Sequence, residues 1–170
     1  MIIFDQENLW LPRHMHTVYC AADIVGAALM LFTGETPDIG YTAVFTDQHF
    51  RFTKTLKYHA HSSGNVIRYR HPDFVGIALT VHELGHTFDR LAKLQPQSEL
   101  ALDGLDIKAG SLWPGMHPPS LEGYTHAEKW ANMFADWCMG MLAQNAVGKR
   151  LEKFMTDGMP AWCALAMGKG

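Results

Sequence analysis

The chain has 170 residues, 48% hydrophobic and 18% charged, which is enough to bury a core as one domain spanning residues 1–170 and excludes a disordered chain. Its net charge of -3 argues against a dedicated nucleic-acid binder, which carries a basic face. Three widely spaced cysteines, Cys20, Cys138 and Cys163, make neither a disulfide framework nor a CxxC metal site and read as reduced thiols.

Residues 1–8 contain two acids and no Lys or Arg, unlike a signal peptide. Residues 18–32 form the most apolar stretch. It is too short for a membrane span and contains Asp23 and Gly26, so a buried amphipathic helix is expected. Together these features predict a cytoplasmic protein with no membrane or nucleic-acid partner.

Residues 17–31 place Cys20, Ile24, Ala27, Ala28 and Leu31 at helical spacing, with Gly34 as a stop. Residues 41–46 and 51–58 are aromatic and β-branched and predict two strands. Gly64-Asn65 predicts a turn into a third strand, 66–70, ended by Pro72, with Asp73 as the N-cap of the next element. Over 74–94 the apolar residues Phe74, Ile77, Val81, Leu84, Phe88 and Leu91 recur every three or four positions, the buried stripe of a helix of about five turns. Residues 95–119 hold prolines and glycines and predict mainly irregular structure. Ala127, Ala131, Phe134, Ala135, Cys138, Met141 and Leu142 mark a second helix ending at Gly148. A short third helix is expected over 149–155, before a tail rich in Gly and Met. Strands followed by helices predict an α+β domain.

The chemistry centres on His82-Glu83-Leu84-Gly85-His86. Two histidines four apart on a helix project from one face, one turn apart, so two ring nitrogens can reach a single Zn²⁺. Glu83 lies on the adjacent flank, where its carboxylate can accept a proton from a metal-activated water without binding the metal. Gly85 lets another backbone approach closely. A catalytic zinc needs a third protein ligand and an open position. Six residues after His86 stands Ala92, so the ligand must come from elsewhere, and residues 128–136 on the second helix are the best source. Glu128, His126 and Asp136 are the candidates. The apolar side of that helix, marked by Ala127, Ala131, Phe134 and Cys138, fixes the direction of Glu128, and Asn132 lies one turn further along.

His-Glu-Leu-Gly-His followed by Glu-x-x-Ala-Asn-x-Phe-Ala resembles the gluzincin metallopeptidases, and within them the ImmA/IrrE type. The lethal-factor type of gluzincin is a second, weaker resemblance. The likeness covers residues 82–89 and 128–139. It implies a compact zincin-like fold, with a small sheet packed on the HExxH helix and a second ligand-bearing helix. It implies Zn²⁺ held by His82, His86 and Glu128, Glu83 as catalytic base, and a peptide or protein substrate. The 41 residues between His86 and Glu128 are longer than expected for that family.

Around this core, Asp89 is a candidate to orient a ligand histidine, and Asn132 likewise. Tyr124 and His126 are candidates to stabilise an oxyanion. The pairs His14/His16 and His59/His61 read as surface histidines in preference to a second metal site. Residues 113–119 are a candidate lid, and strand 66–70 is expected to border the cleft and pair with substrate. The alternatives to an enzyme are a zinc-bound, noncatalytic regulatory or protein-binding module, and an interaction protein without metal.

Overall fold

The computed structural model describes residues 1–33, 36–112 and 125–169, apart from the side chain of Glu7. The expected residues Gly34 and Tyr124, and the candidate lid 113–119, lie outside the described residues. The fold is α+β. A four-stranded sheet is built from β1 (Ile2–Phe4), β2 (Gln48–Phe52), β3 (Ala60–Ser63) and β4 (Val66–Tyr69), in the order β1-β2-β4-β3. β1, β2 and β4 run parallel, and β3 joins β4 as an antiparallel hairpin. The parallel step from β1 to β2 is carried by two helices, α1 (Pro12–Thr33) and α2 (Pro37–Val44). The remaining helices are α3 (Ile77–Leu91), α4 (Gln95–Asp103), α5 (His126–Cys138) and α6 (Ala146–Ala166).

The sheet is one-sided. Phe50, Phe52, Ile67, Tyr69, Ala60 and Ser62 are buried, while the alternate residues His49, Arg51, Arg68 and His61 reach solvent. On the inner side Trp10 packs on Phe52 with ring centroids 4.4 Å apart and on Phe4 at 4.8 Å. α1 is long and apolar enough to cross a membrane by length and composition, but it buries Val18, Ala21, Ala22, Val25 and Leu29 inside the protein. One face of it packs into the core while Tyr19, Met30 and Leu31 on the other are exposed, an amphipathic arrangement compatible with a soluble chain.

Several elements differ from those expected. Residues 41–46 lie largely in helix α2. Thr36 in extended backbone, Pro37 in the first turn and Asp38 beside the positive helix end start a helix, and that outweighs β propensity. The strand expected at 51–58 is β2, which lies earlier, because alternation stops at Phe52. β1 was not anticipated. α1 begins five residues before the expected start, at Pro12, so His14 and His16 lie on a helix, and His14 is not the surface residue expected. His14 is buried and accepts the Leu11 N–H at 3.4 Å. Asp73 caps no long helix: it sits in a 3-10 turn, Pro72–Phe74, capped by His71, and Gly76 precedes α3.

Residues 95–103 are helical, not irregular. Asp89 of α3 accepts the Gln97 N–H at 3.0 Å and so caps α4 from outside. α5 ends at Cys138, where the Met141 N–H bonds the Asp136 carbonyl at 2.7 Å over Gly140, whose φ is +66°. Gly148 therefore lies inside α6. That helix runs 21 residues to Ala166 although it contains Pro160, because Met155, Met159, Trp162 and Cys163 are fully buried.

α3 is the hub. On one side it is tied to the β3–β4 hairpin. The Tyr69 hydroxyl lies 2.6 Å from Thr80 Oγ1, and Ser62 Oγ lies 2.7 Å from Thr87 Oγ1. Arg90 adds bonds to Ser62 Oγ and, at 3.3 Å, to the Gly64 carbonyl. On the other side α3 meets α5 at Gly85. A Cβ placed there would lie 3.2 Å from Ala131 Cα and 3.1 Å from Phe134 Cδ1, and both neighbours are fully buried. The close approach expected of this glycine is present. Gly85→Val is accordingly expected to lower stability by about 1–3 kcal/mol in denaturant unfolding, and Gly85→Ala by less, because about 1 kcal/mol of helix propensity offsets the tighter contact. A Gly85→Val protein as stable as the wild type would show that the two helices can separate freely.

Candidate metal centre

The two histidines of α3 face α5 across this contact. Glu128 stands in the first turn of α5, where Thr125 Oγ1 accepts its N–H at 3.2 Å. The cap sets the start of the helix, and Ala131 against Gly85 sets its rotation. Glu128 is thereby aimed at α3. His82 Nε2 lies 3.3 Å from Glu128 Oε2, and His86 Nε2 lies 3.3 Å from Glu128 Oε1. The three groups can each offer one donor atom, all within 4.8 Å of one another. Ligands at 2.0–2.1 Å in a tetrahedron are about 3.3–3.4 Å apart, which is the length of the two His–carboxylate distances, so the three groups could hold one metal ion.

Asn132, one turn beyond Glu128, accepts a hydrogen bond from His82 Nδ1 at 2.7 Å. This bond holds the ring so that Nε2 faces Glu128, and the contact between Asn132 and His82 is the one the sequence suggested. Glu83 is buried, and its Oε2 has no hydrogen-bond partner. Burial pushes its pKa up to about 7, Glu128 adds to the rise, and the positive charges of His82 and Arg90 and the Ser62 N–H oppose it. Glu128 is held well below the usual carboxylate range by hydrogen bonds from His82 and His86. Burial works against a charged His82, but the bond to Glu128 and the charge of Glu83 outweigh it. For His86 burial prevails and lowers the pKa. Glu128 is thus a charged carboxylate facing two imidazole nitrogens, and its side chain is 40% exposed, so the cluster opens toward solvent on that side.

The other expected residues fall elsewhere. Among the described residues Asp89 bonds neither His82 nor His86; it caps α4. His126 is exposed and lines a groove of about 460 Å³ with Gln97, Ser98, Ala101 and Leu102. Neither His126 nor Asp136 joins the donor group. Strand 66–70 does not border an open edge, since β4 is paired on both sides by β2 and β3. The edge beside α3 is β3. Thr80, Thr87, Ser62 and Arg90, which hold α3 in place, were not singled out from sequence. The only signal was two threonines and an arginine on a helix otherwise read for its apolar stripe.

No family model, curated protein or solved structure matches the chain.

Asn132→Ala should weaken binding of a divalent ion by about 10–100-fold in a competition titration, with the fold retained; unchanged affinity would mean that His82 needs no orienting partner. Asp89 is raised by burial from 3.8 to about 6. Its folded form binds a proton more tightly than its unfolded form, so it destabilises increasingly as pH rises from about 4 through 6. Asp89→Asn keeps the acceptor for Gln97 and removes the charge. Its stability relative to wild type should therefore rise across that window in unfolding curves and level off above it. A difference that is flat with pH would contradict the buried cap.

Proposed function

We propose that the chain is a zinc-dependent metallopeptidase of gluzincin type, related in design to the ImmA/IrrE peptidases. One observation carries this reading. Two imidazole nitrogens each lie 3.3 Å from one oxygen of the same carboxylate, beside a buried glutamate oxygen that has no hydrogen-bond partner. Two neutral nitrogens and one charged oxygen suit Zn²⁺. Bound there, zinc would acidify a water molecule and polarise a carbonyl.

The chain's own groups account for the remaining work. His82 and His86 present Nε2 lone pairs, and Asn132 holds the His82 ring so that its Nε2 faces Glu128. Glu128 supplies a single negative charge, which leaves the site net positive. Glu83 Oε2 accepts the water proton and later delivers it to the leaving amine nitrogen. A noncatalytic metal site has no use for Glu83. The open edge of β3 offers main-chain partners for an extended peptide. Antiparallel pairing with β4 uses the main chain of His59, as in the Arg70 N–H to His59 carbonyl bond of 2.9 Å. Alternation then turns Ala60 and Ser62 toward the edge. The Ser62 N–H of that edge bonds the Glu83 carboxylate, so the edge lies beside the proposed base and a peptide would pair through the remaining main-chain groups of β3. Three free cysteines accord with a cytoplasmic location.

The test uses unfolded protein substrate with peptide mapping by mass spectrometry. Zinc-loaded wild type should release defined fragments. Glu83→Gln should keep its zinc and its melting temperature but cleave about 10²–10⁴-fold more slowly. Equal cleavage by both proteins would discard Glu83 as the base. A zinc-loaded wild type that cleaves nothing would favour a protein-binding module.

A further inference from the structure

Charge is unevenly distributed along this acidic chain. Residues 48–71 carry Arg51, Lys54, Lys57, Arg68 and Arg70, four histidines and no acid, while the rest of the chain has nine Lys and Arg against 17 Asp and Glu. The fold collects this segment on one surface. Strands β2, β3 and β4 all come from it, and their inward residues are buried. Register places Arg51, Arg68 and His61 side by side across the solvent face, with Arg70 opposite His59 in the next row outward. Arg51 and His49 both bind Asp5, with Arg51 Nη2 at 2.6 Å and His49 Nδ1 at 2.9 Å. Arg68 and Arg70 have no carboxylate partner among the described residues.

This face meets the candidate metal centre along β3. A peptide added to the open edge of β3 extends the sheet, and every second side chain then points to the same solvent face as His61. Strands are about 4.8 Å apart, so Arg68 lies about 10 Å from such a peptide, a gap that an arginine and a glutamate side chain can close between them. The outward strand positions, His49, Arg51, Val66, Arg68, His61 and Ser63, include no Phe, Tyr or Trp on which bases could stack, which disfavours a single-stranded nucleic acid.

We infer that the basic outer face of the sheet, led by Arg68 and Arg70, selects polypeptides with acidic side chains at alternate positions along the β3 edge. This rests on the peptidase reading and names its substrate class. Lys54 and Lys57 extend the positive field past the end of β2 and draw such chains toward the edge.

The test is fluorescence anisotropy with zinc-loaded, full-length Glu83→Gln and labelled decapeptides that carry Glu, Gln or Lys at alternate positions. At about 50 mM salt the Glu peptide should bind about tenfold more tightly than the Gln peptide, the scale of two or three exposed ion pairs, and the advantage should shrink at about 500 mM. Arg68→Gln with Arg70→Gln should abolish the advantage, and the double change to Glu should favour the Lys peptide. Both pairs of substitutions are on the solvent face, and melting curves verify folding. Equal binding of Glu and Gln peptides overturns the inference, as does tighter binding of a (dT)10 oligonucleotide than of the Glu peptide. Wild-type cleavage separates the two claims. Equal cleavage of Glu and Gln peptides overturns the acidic preference and leaves the peptidase standing. Selective binding of the Glu peptide without any cleavage supports the acidic preference and removes the peptidase.

Discussion

At Gly85 the α3 helix gives up its side chain so that Ala131 and Phe134 of α5 can press against its backbone, and the Trp130 indole N–H donates to the Gly85 carbonyl at 2.9 Å. Phe88 and Phe134 stack beside this contact at 5.4 Å, and Trp130 passes the packing on to Trp162 of α6 at 5.3 Å. The geometry of the candidate site follows from it. Glu128 and Asn132 flank Ala131 in sequence and project from the same side of α5, so the rotation that seats Ala131 on Gly85 also brings one carboxylate and one amide to His82. A side chain at position 85 would push α5 outward, and the donors would be the first groups to separate.

The opposite flank of α3 is held by polar contacts. Thr80, Thr87 and Arg90 bond to Tyr69, Ser62 and the Gly64 carbonyl of the β3–β4 hairpin, so the helix cannot roll under the sheet. Buried hydroxyl pairs of this kind have strict directions, whereas apolar packing tolerates small rotations. Glu83 sits between the two flanks, close to Ser62 of the sheet and one residue from His82. Its desolvation is the cost of that position and pushes its pKa up to about 7, which suits the proton-transfer role proposed for it.

The His82/His86 pair was legible because its spacing needs only a helix. On the second helix the periodicity left Glu128, His126 and Asp136 open, and the likeness to the gluzincins pointed to Glu128. The α+β class was legible for the same reason. What was missed depended on contacts between distant residues. α4 is capped by Asp89 from a neighbouring helix, which no window of local sequence contains. α2 has β-branched and aromatic residues, but the Pro37 carbonyl packs so closely on Gly26 of α1 that a Cβ there would lie 2.2 Å from it, a contact between distant residues that local sequence does not show. α6 continues past Gly158 and Pro160 because Trp162 and Cys163 are buried in the core. The open edge was assigned to the wrong strand because β3 is only four residues long, and its sequence, Ala-His-Ser-Ser, has little strand character.

The central claim is that α3 and α5 are held together to present two imidazoles and one carboxylate to a single metal ion. Zinc K-edge absorption spectroscopy on untagged protein loaded with one equivalent of zinc tests it most directly. The account predicts about four light-atom neighbours near 2.0–2.1 Å, with multiple scattering from two imidazoles and no sulfur. A sulfur shell near 2.3 Å, or a spectrum matching hydrated zinc without imidazole scattering, would contradict it.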